Sequence, residues 1–473
     1  MALLGIQFVI TLVVALFLQK LSPYYSFARW IMCSRLYRYL HPSNELLRAT
    51  AGKPINQGGK GKRKKADKIN GTQSQEEIFT VPCNMDIVLG KVEVNEMALV
   101  SQYKYTDYKW LVDFSVCAVI VYLLIEMAAS LRPQIFVDEF NVGIVWCMLV
   151  VYFALRELFS LTAAYWRSED GGERAMAISF GFFFLVVALG VLVVDEEILD
   201  FGLNDGYKHF AQNLETFYKA MDFSIDRAPS VWAFKIFLAI FSALVGAVLG
   251  FPGIRYANMH LDSVYYYERG NFGRLGLVFL NVVFFSPLLM SLLWVLPLSR
   301  ELMYFRKGNT VEKLLSNENF LFLRVHLMIF IILARLLVTR QLLQSHLDSA
   351  RQKVDKFKME TGRVSNRDLQ RTVARVFYYL SAAALQYLAP LLLMLFLGFM
   401  LRSLTYNLED LKDIPSILNG KKPSDDKQLY AKLIRSLMSV KLAKGVTSFL
   451  CWWTNVTFFM TSCFGVVYFK YLS

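Results

Sequence analysis

Nine apolar runs, each about as long as a lipid bilayer is thick, recur along this 473-residue chain. They cover approximately residues 2–19, 110–131, 140–166, 175–194, 230–252, 275–298, 319–344, 373–401 and 445–468. A backbone that crosses lipid must satisfy its own hydrogen bonds, so each run is predicted to be a helix. The chain is 55% hydrophobic and only 19% charged, and a soluble domain has too little interior to hide that much apolar surface. The sequence therefore predicts an all-α, polytopic transmembrane helical bundle of about eight or nine spans, with interfacial amphipathic helices.

The N-terminal part of the chain is interpreted as two regions. Residues 1–20 are expected to be a retained transmembrane anchor, because no basic residue precedes the apolar run and no small-residue cleavage site follows it. Residues 21–108 contain a predicted interfacial helix at 21–40 and a flexible polybasic loop at 52–78. The basic loop is expected to touch anionic lipid headgroups.

Residues 109–473 are interpreted as the multi-span helical bundle. Within them, the charged segment 345–372 predicts a pair of helices, and Tyr207–Met221 predicts an amphipathic helix. We expect an integral, multi-pass protein of the plasma membrane or an endomembrane.

Charge and motif content exclude several function classes. The net charge of +13 is interpreted as basic residues on cytosolic loops, because no DNA- or RNA-binding motif accompanies it. Asn70-Gly-Thr72 makes Asn70 a candidate glycosylation site, which would stay unmodified on a cytosolic loop. The six cysteines form no CxxC pair and lie beside no histidine cluster. No metal, cofactor or catalytic residue is predicted, and we expect a protein that is not an enzyme.

Charged side chains inside the apolar runs are the main functional candidates, because an ionisable group in lipid is costly unless it is paired or hydrated. Relative to the midpoints of their runs, Glu157 and Arg335 lie about 6 and 5 Å toward the same face. Glu126 and Arg324 lie about 8 and 11 Å toward the other face. The depths predict two ion pairs, Glu126–Arg324 and Glu157–Arg335. These pairs either specify helix packing or line a polar pathway.

Three more polar groups lie within the predicted spans: Arg156, Lys235 and His326. The histidine is either a helix-contact residue or a group that titrates near neutral pH.

Glycine and proline mark three further positions. Pro287 and Pro390 lie in the middle of predicted spans and predict helix kinks. Such kinks occur at the substrate sites of transporters and also in helix bundles that transport nothing. Phe251-Pro-Gly253 predicts the end of the fifth helix, which places His260 in a loop. A tight, charged turn is predicted at Glu169, Asp170, Gly171, Gly172, Glu173 and Arg174, with positive φ at the glycines and charges that cap the helix ends. The alternative is a gate or a partner contact.

Several strings along nearly the whole chain carry a family resemblance. They are Phe27-Ala-Arg-Trp30, His41-Pro42, Trp110–Phe114, Glu169–Arg174, Phe251–Arg255, Met259–Asp262, Arg375–Leu380 and Gln386–Pro390. On these strings the chain resembles the transmembrane protein 161 family and looks closer to its B-type member. The resemblance implies a multi-pass membrane protein without catalytic activity, and it implies no site residues.

For B-type members the resemblance also implies restraint of cation currents, roles in heart rhythm and roles in cell signalling. We therefore expect a regulator of cation currents and membrane excitability that acts through ion channels or signalling membrane proteins. The alternative is a transporter or channel with a charge-lined intramembrane pathway.

Overall fold

The computed structural model describes residues 5–50, 79–82, 87–131, 141–167, 171–194, 196–220, 230–269, 274–307, 310–313, 316–359, 362–406 and 439–471. The candidate glycosylation site Asn70, and Glu169 and Asp170 of the charged turn, lie outside the described residues. The chain divides into two compact units, each built from separate stretches of sequence. Unit 1 comprises residues 1–28, 109–339 and 385–473, and unit 2 comprises residues 29–108 and 340–384.

The described helices are α1 (Ile6–Leu21), α2 (Phe27–Cys33), α3 (Asn44–Thr50), α4 (Glu96–Leu99), α5 (Tyr105–Leu131), α6 (Val142–Trp166), α7 (Gly171–Val193), α8 (Leu203–Ala220), α9 (Val231–Arg269), α10 (Arg274–Leu292), α11 (Leu296–Met303), α12 (Asn317–Leu337), α13 (Thr339–Met359), α14 (Asn366–Tyr378), α15 (Leu380–Tyr406) and α16 (Val440–Tyr471). The described strands are β1 (Tyr37–Leu40), β2 (Thr80–Pro82), β3 (Gly90–Glu93), β4 (Tyr304–Lys307), β5 (Thr310–Lys313) and β6 (Arg363–Ser365).

The helices confirm the polytopic all-α prediction. Among the described residues, eight helical segments are long and apolar enough to cross a membrane. The N-terminal helix α1 is apolar as well, but it has only 16 residues. The amphipathic helix that the sequence places near Tyr207 is α8. The charged segment 345–372 forms parts of α13 and α14, a helix pair as predicted.

Helix α9 contradicts the prediction that Phe251-Pro-Gly253 ends the fifth span, because the helix runs unbroken for 39 residues with Pro252 inside it. Proline costs the helix one backbone hydrogen bond, but unwinding within lipid would expose several polar groups. The glycine allows a close approach to α16, where a side chain on Gly253 would collide with Thr461 and would lie 3.1 Å from the backbone nitrogen of Ser462. Packing against α16 therefore favours a continuous helix, and His260 lies on it rather than in a loop.

The same helix packs closely on α7 through two glycines one turn apart. A Cβ atom on Gly246 would lie 2.6 Å from Phe184 Cγ, and one on Gly250 would lie 2.6 Å from Phe180 Cδ2. Small residues four apart let helices approach closely in a membrane, where packing rather than hydrophobic burial drives association.

The two central prolines also lie inside helices that continue past them, Pro287 in α10 and Pro390 in α15. Pro287 has no N–H for the carbonyl of Val283, and the Ser286 hydroxyl donates to that carbonyl at 2.8 Å instead. Asn455 of α16 donates to the Pro287 carbonyl at 2.8 Å, which ties α10 to α16.

Unit 2 joins distant parts of the chain through short antiparallel ladders. Strand β1 pairs with β3, and β2 pairs with β6. Its core consists of Leu47, Val81, Ala350, Val354, Leu369, Val373 and Val376. The predicted interfacial helix at 21–40 is wrong over most of its length, because after α1 ends at Leu21 only α2 is helical and Tyr37–Leu40 is strand β1. The tyrosines at the alternate positions 37 and 39 suit a paired strand better than a helix.

Candidate functional site

The intramembrane charges do not form the predicted pairs. Arg324 of α12 is 3% exposed, and its Nη1 lies 3.0 Å from Asp200 Oδ2, not beside Glu126. The guanidinium also lies over the Trp294 ring, 4.7 Å from its centroid. Asp200 lies between α7 and α8. It is outside the apolar runs, so a comparison of charges within those runs does not include it.

Glu126 of α5 instead belongs to a polar cluster with the end of α15. Its carboxylate interacts electrostatically with Arg402 and accepts a hydrogen bond from Ser403. Asn141 Nδ2, at the start of α6, donates to the Ser403 hydroxyl at 2.8 Å. The neighbouring Val142 N–H donates to the Gln7 side chain of α1 at 2.9 Å. The cluster ties four helices together by hydrogen bonds, and this arrangement suits a packing role.

Glu157 is buried in α6 at 5% exposure, and its Oε1 lies 3.9 Å from Nη1 of the adjacent Arg156. Its predicted pairing with Arg335 is wrong, because no described residue accepts a hydrogen bond from the Nε, Nη1 or Nη2 atom of Arg335. The side chains of these two consecutive residues therefore lie in different surroundings. Glu157 faces the interior, whereas the Arg156 side chain is 61% exposed.

Arg335 is the most deeply buried of the candidate charges, with 1% of its surface exposed. Its guanidinium carbon lies 5.0 Å from the centroid of the Tyr256 ring of α9 and 5.1 Å from that of the Phe458 ring of α16. Its backbone carbonyl accepts a hydrogen bond of 2.7 Å from Tyr387 Oη of α15. Cation–π contacts replace the predicted carboxylate partner.

The remaining two span residues have local partners. His326 Nδ1 is 2.8 Å from the Phe322 carbonyl of its own helix, and its ring stacks on the Phe322 ring. Lys235 is near the start of α9, with its Nζ 5.7 Å from the Trp232 ring centroid. Lysine near a helix end commonly extends toward the membrane interface.

The charged turn is partly helical. Gly171, Gly172, Glu173 and Arg174 form the start of α7, so the predicted positive φ at the glycines is wrong. A helix that begins at the first glycine needs no left-handed turn. Arg174 Nε donates to the carbonyl of Trp166, the last residue of α6, at 2.7 Å.

Within the described residues, no three His, Cys, Asp or Glu side chains are grouped so that they could hold a metal ion.

The family described as predicted transmembrane protein 161AB matches residues 2–473 of this chain. The chain belongs to this family. The match confirms the family resemblance that the sequence strings carry, and it covers A-type and B-type members together. No solved structure matches the chain. Membership of the transmembrane protein 161AB family, together with the apolar helices, makes the protein an integral, multi-pass membrane protein.

Proposed function

We propose that this protein modulates cation currents and membrane excitability, and thereby cell signalling, by binding other membrane proteins and without catalysing a reaction. The resemblance to B-type members supports the effect on cation currents. Arg156 supports binding to a membrane partner, and it is the observation on which the proposal mainly rests.

Arg156 is an exposed cation near the middle of a transmembrane helix. It lies two residues, or about 3 Å along the axis, from the midpoint of α6. An arginine at the centre of a membrane helix costs roughly 3 kcal/mol or more if lipid surrounds it. Tyr152 and Phe159 are exposed on the same face, at spacings of four and three residues. Glu157 Oε1, 3.9 Å from Nη1, offsets part of this charge. A transmembrane partner with a carboxylate at this depth would pair with the exposed part of the guanidinium and cover the two aromatic rings.

The charge-lined pathway of the alternative function has less support. Glu157, Arg324 and Arg335 are each at most 5% exposed, so they line no opening that solvent reaches in this structure. A regulator does not need such an opening, whereas a conductor does.

Whole-cell recording tests the proposal in excitable cells that lack the endogenous protein. We expect the wild type to reduce a cation current and Arg156→Gln to lose at least half of that reduction at equal surface expression. Lys235→Gln is the matched control, because it removes a cation from the helix end and should leave the effect intact. An Arg156→Gln variant with the full wild-type effect would contradict the partner contact. No change of current with the wild type would contradict the function.

Flux through purified protein in liposomes distinguishes the alternative. We expect no ion flux from the wild type. Flux that the double substitution Glu157→Gln, Arg335→Gln abolishes would make the protein a transporter or channel.

A further inference from the structure

We propose that Arg335 and His260 form an internal site for one small inorganic anion, of which chloride is the physiological example. Such a site would hold the cores of α9, α10, α12 and α16 together. The proposal does not depend on the regulatory function.

Arg335 supplies the charge of the site. All three guanidinium nitrogens are buried, and none of them has a hydrogen-bond acceptor among the described residues. The Tyr256 and Phe458 rings attract the cation, but a ring face replaces only part of the solvation that the five N–H groups lose. An uncompensated charge in a protein interior costs several kcal/mol. A monovalent anion would neutralise the guanidinium and accept hydrogen bonds from its N–H groups. A water molecule would accept hydrogen bonds but would leave the charge in place.

His260 supplies a second donor. Helix α9 continues past Pro252 and places this histidine in the interior, where it is within electrostatic reach of Arg335. The His260 ring makes a hydrogen bond with the Asn281 side chain of α10, while its Nδ1 is buried without a partner among the described residues. The Asn281 side-chain oxygen accepts a hydrogen bond from Nε2–H, so a proton taken up at Nδ1 gives the ring a second N–H donor. That N–H then adds to the donors of Arg335.

The surroundings favour an anion over a cation and a small ligand over a large one. No ion pair links Arg335 to a carboxylate among the described residues, and Tyr387 donates to its carbonyl rather than accepting from its guanidinium. The His260 ring stacks on Phe284 at 4.3 Å, so aromatic rings form much of the wall. A spherical anion can accept from N–H donors on α9 and α12 at the same time, because it has no preferred direction of approach. A bulky organic anion could not reach the guanidinium without displacing packed side chains, because only 1% of the Arg335 surface is exposed.

Thermal unfolding of the purified full-length protein in sodium chloride, compared with sodium gluconate at the same ionic strength, tests the site. A ligand that binds only the folded state raises the Tm with its concentration. We expect the Tm of the wild type to rise by roughly 2 °C for each tenfold increase in chloride above its Kd. Arg335→Met should abolish the chloride effect. Arg324→Met is the matched control, because it removes a buried arginine that has a carboxylate partner, and it should retain the effect.

A second measurement keeps the proposal testable if Arg335→Met does not fold. Equilibrium dialysis with radioactive chloride should give about one bound anion per wild-type chain, and His260→Phe should weaken binding about tenfold through the loss of one hydrogen bond to a charged ligand. Equal Tm values for the wild type in chloride and gluconate, no bound chloride on dialysis, or an undiminished chloride effect in Arg335→Met would each overturn the site.

Discussion

Arg324 shows how a partner outside the apolar runs stabilises a buried charge. Its guanidinium is 3% exposed and pairs with Asp200, whose side chain is 46% exposed. Lys444 of α16 is also within electrostatic reach of both groups. One carboxylate therefore serves two cations, which makes Asp200 the residue on which this cluster depends.

Asp200→Asn should lower the free energy of unfolding by about 1–3 kcal/mol. Breaking a buried pair costs about 3–5 kcal/mol, but partial exposure of Asp200 to solvent reduces the loss. Denaturant or thermal unfolding in detergent measures the change. The double variant Asp200→Asn, Arg324→Met should recover most of it, because no cation is then left in a buried position without its partner. Equal losses in the single and double variants would contradict this account.

Tyr39 gives a pH dependence in unit 2. Burial, reinforced by the nearby charge of Asp348, raises the pKa of Tyr39 to about 12. In the unfolded chain the Tyr39 hydroxyl ionises near pH 10. Between pH 10 and 12 the folded state therefore keeps a proton on Tyr39 that the unfolded state has lost. The contribution of Tyr39 is therefore complete below pH 10 and is lost as the pH rises toward 12. We expect stability to fall less between pH 10 and 12 in Tyr39→Phe than in the wild type. Parallel stability profiles would contradict the role of Tyr39.

At the scale of single elements, the helices were predictable and their contacts were not. Runs of apolar residues locate the spans, because lipid leaves the backbone no other structure. The continuation of α9 through Pro252 depends on α16, which lies some two hundred residues later in the chain. For the same reason the sequence located Arg324 and Arg335 in a span but not their neighbours. Those neighbours come from α9, α16 and the segment around Asp200.

The close packing of α7 on α9 predicts a sharp difference between two glycines. Gly246→Ala would place a Cβ atom 2.6 Å from Phe184 Cγ, and the ring of Phe184 is fully buried. We expect a loss of about 1–3 kcal/mol, because overpacking forces the helices apart. Gly190→Ala is the control, since a Cβ atom there meets nothing within 4 Å and alanine favours a helix. Thermal unfolding compares them. A Gly246→Ala variant as stable as Gly190→Ala would contradict the packing.

At the scale of the whole molecule, the two units are difficult to recognise from the sequence, because each is built from separate stretches of the chain. The helix pair at 345–372 lies in the same compact unit as residues 29–108, far from it in the sequence. Strands of three or four residues, such as β2 and β6, carry too little periodicity to be recognised. Their pairing is between residues almost three hundred positions apart, and only the folded chain reveals it.

Asn366 tests whether unit 2 depends on that long-range pairing. Its backbone N–H donates to the Phe79 carbonyl at 3.0 Å, and its Oδ1 accepts from the Phe79 N–H at 3.2 Å. Its Nδ2 donates to Asn44 Oδ1 at 3.0 Å, so one side chain connects three segments of the unit. Asn366→Ala leaves buried polar groups without partners and should cost about 2 kcal/mol or more.

Hydrogen exchange measured by mass spectrometry should show where that cost falls. We expect faster exchange in residues 79–82 and 363–365, where β2 pairs with β6, and unchanged exchange in α9 and α16. Thr372→Ala is the control on the same helix, because its hydroxyl makes an exposed contact with the Asp368 carbonyl one turn earlier. If Asn366→Ala and Thr372→Ala exchange alike, the ladder does not depend on Asn366. If exchange in α9 and α16 rises equally, the two units do not unfold separately. Faster exchange confined to the ladder would show that one buried amide holds together segments that the sequence separates.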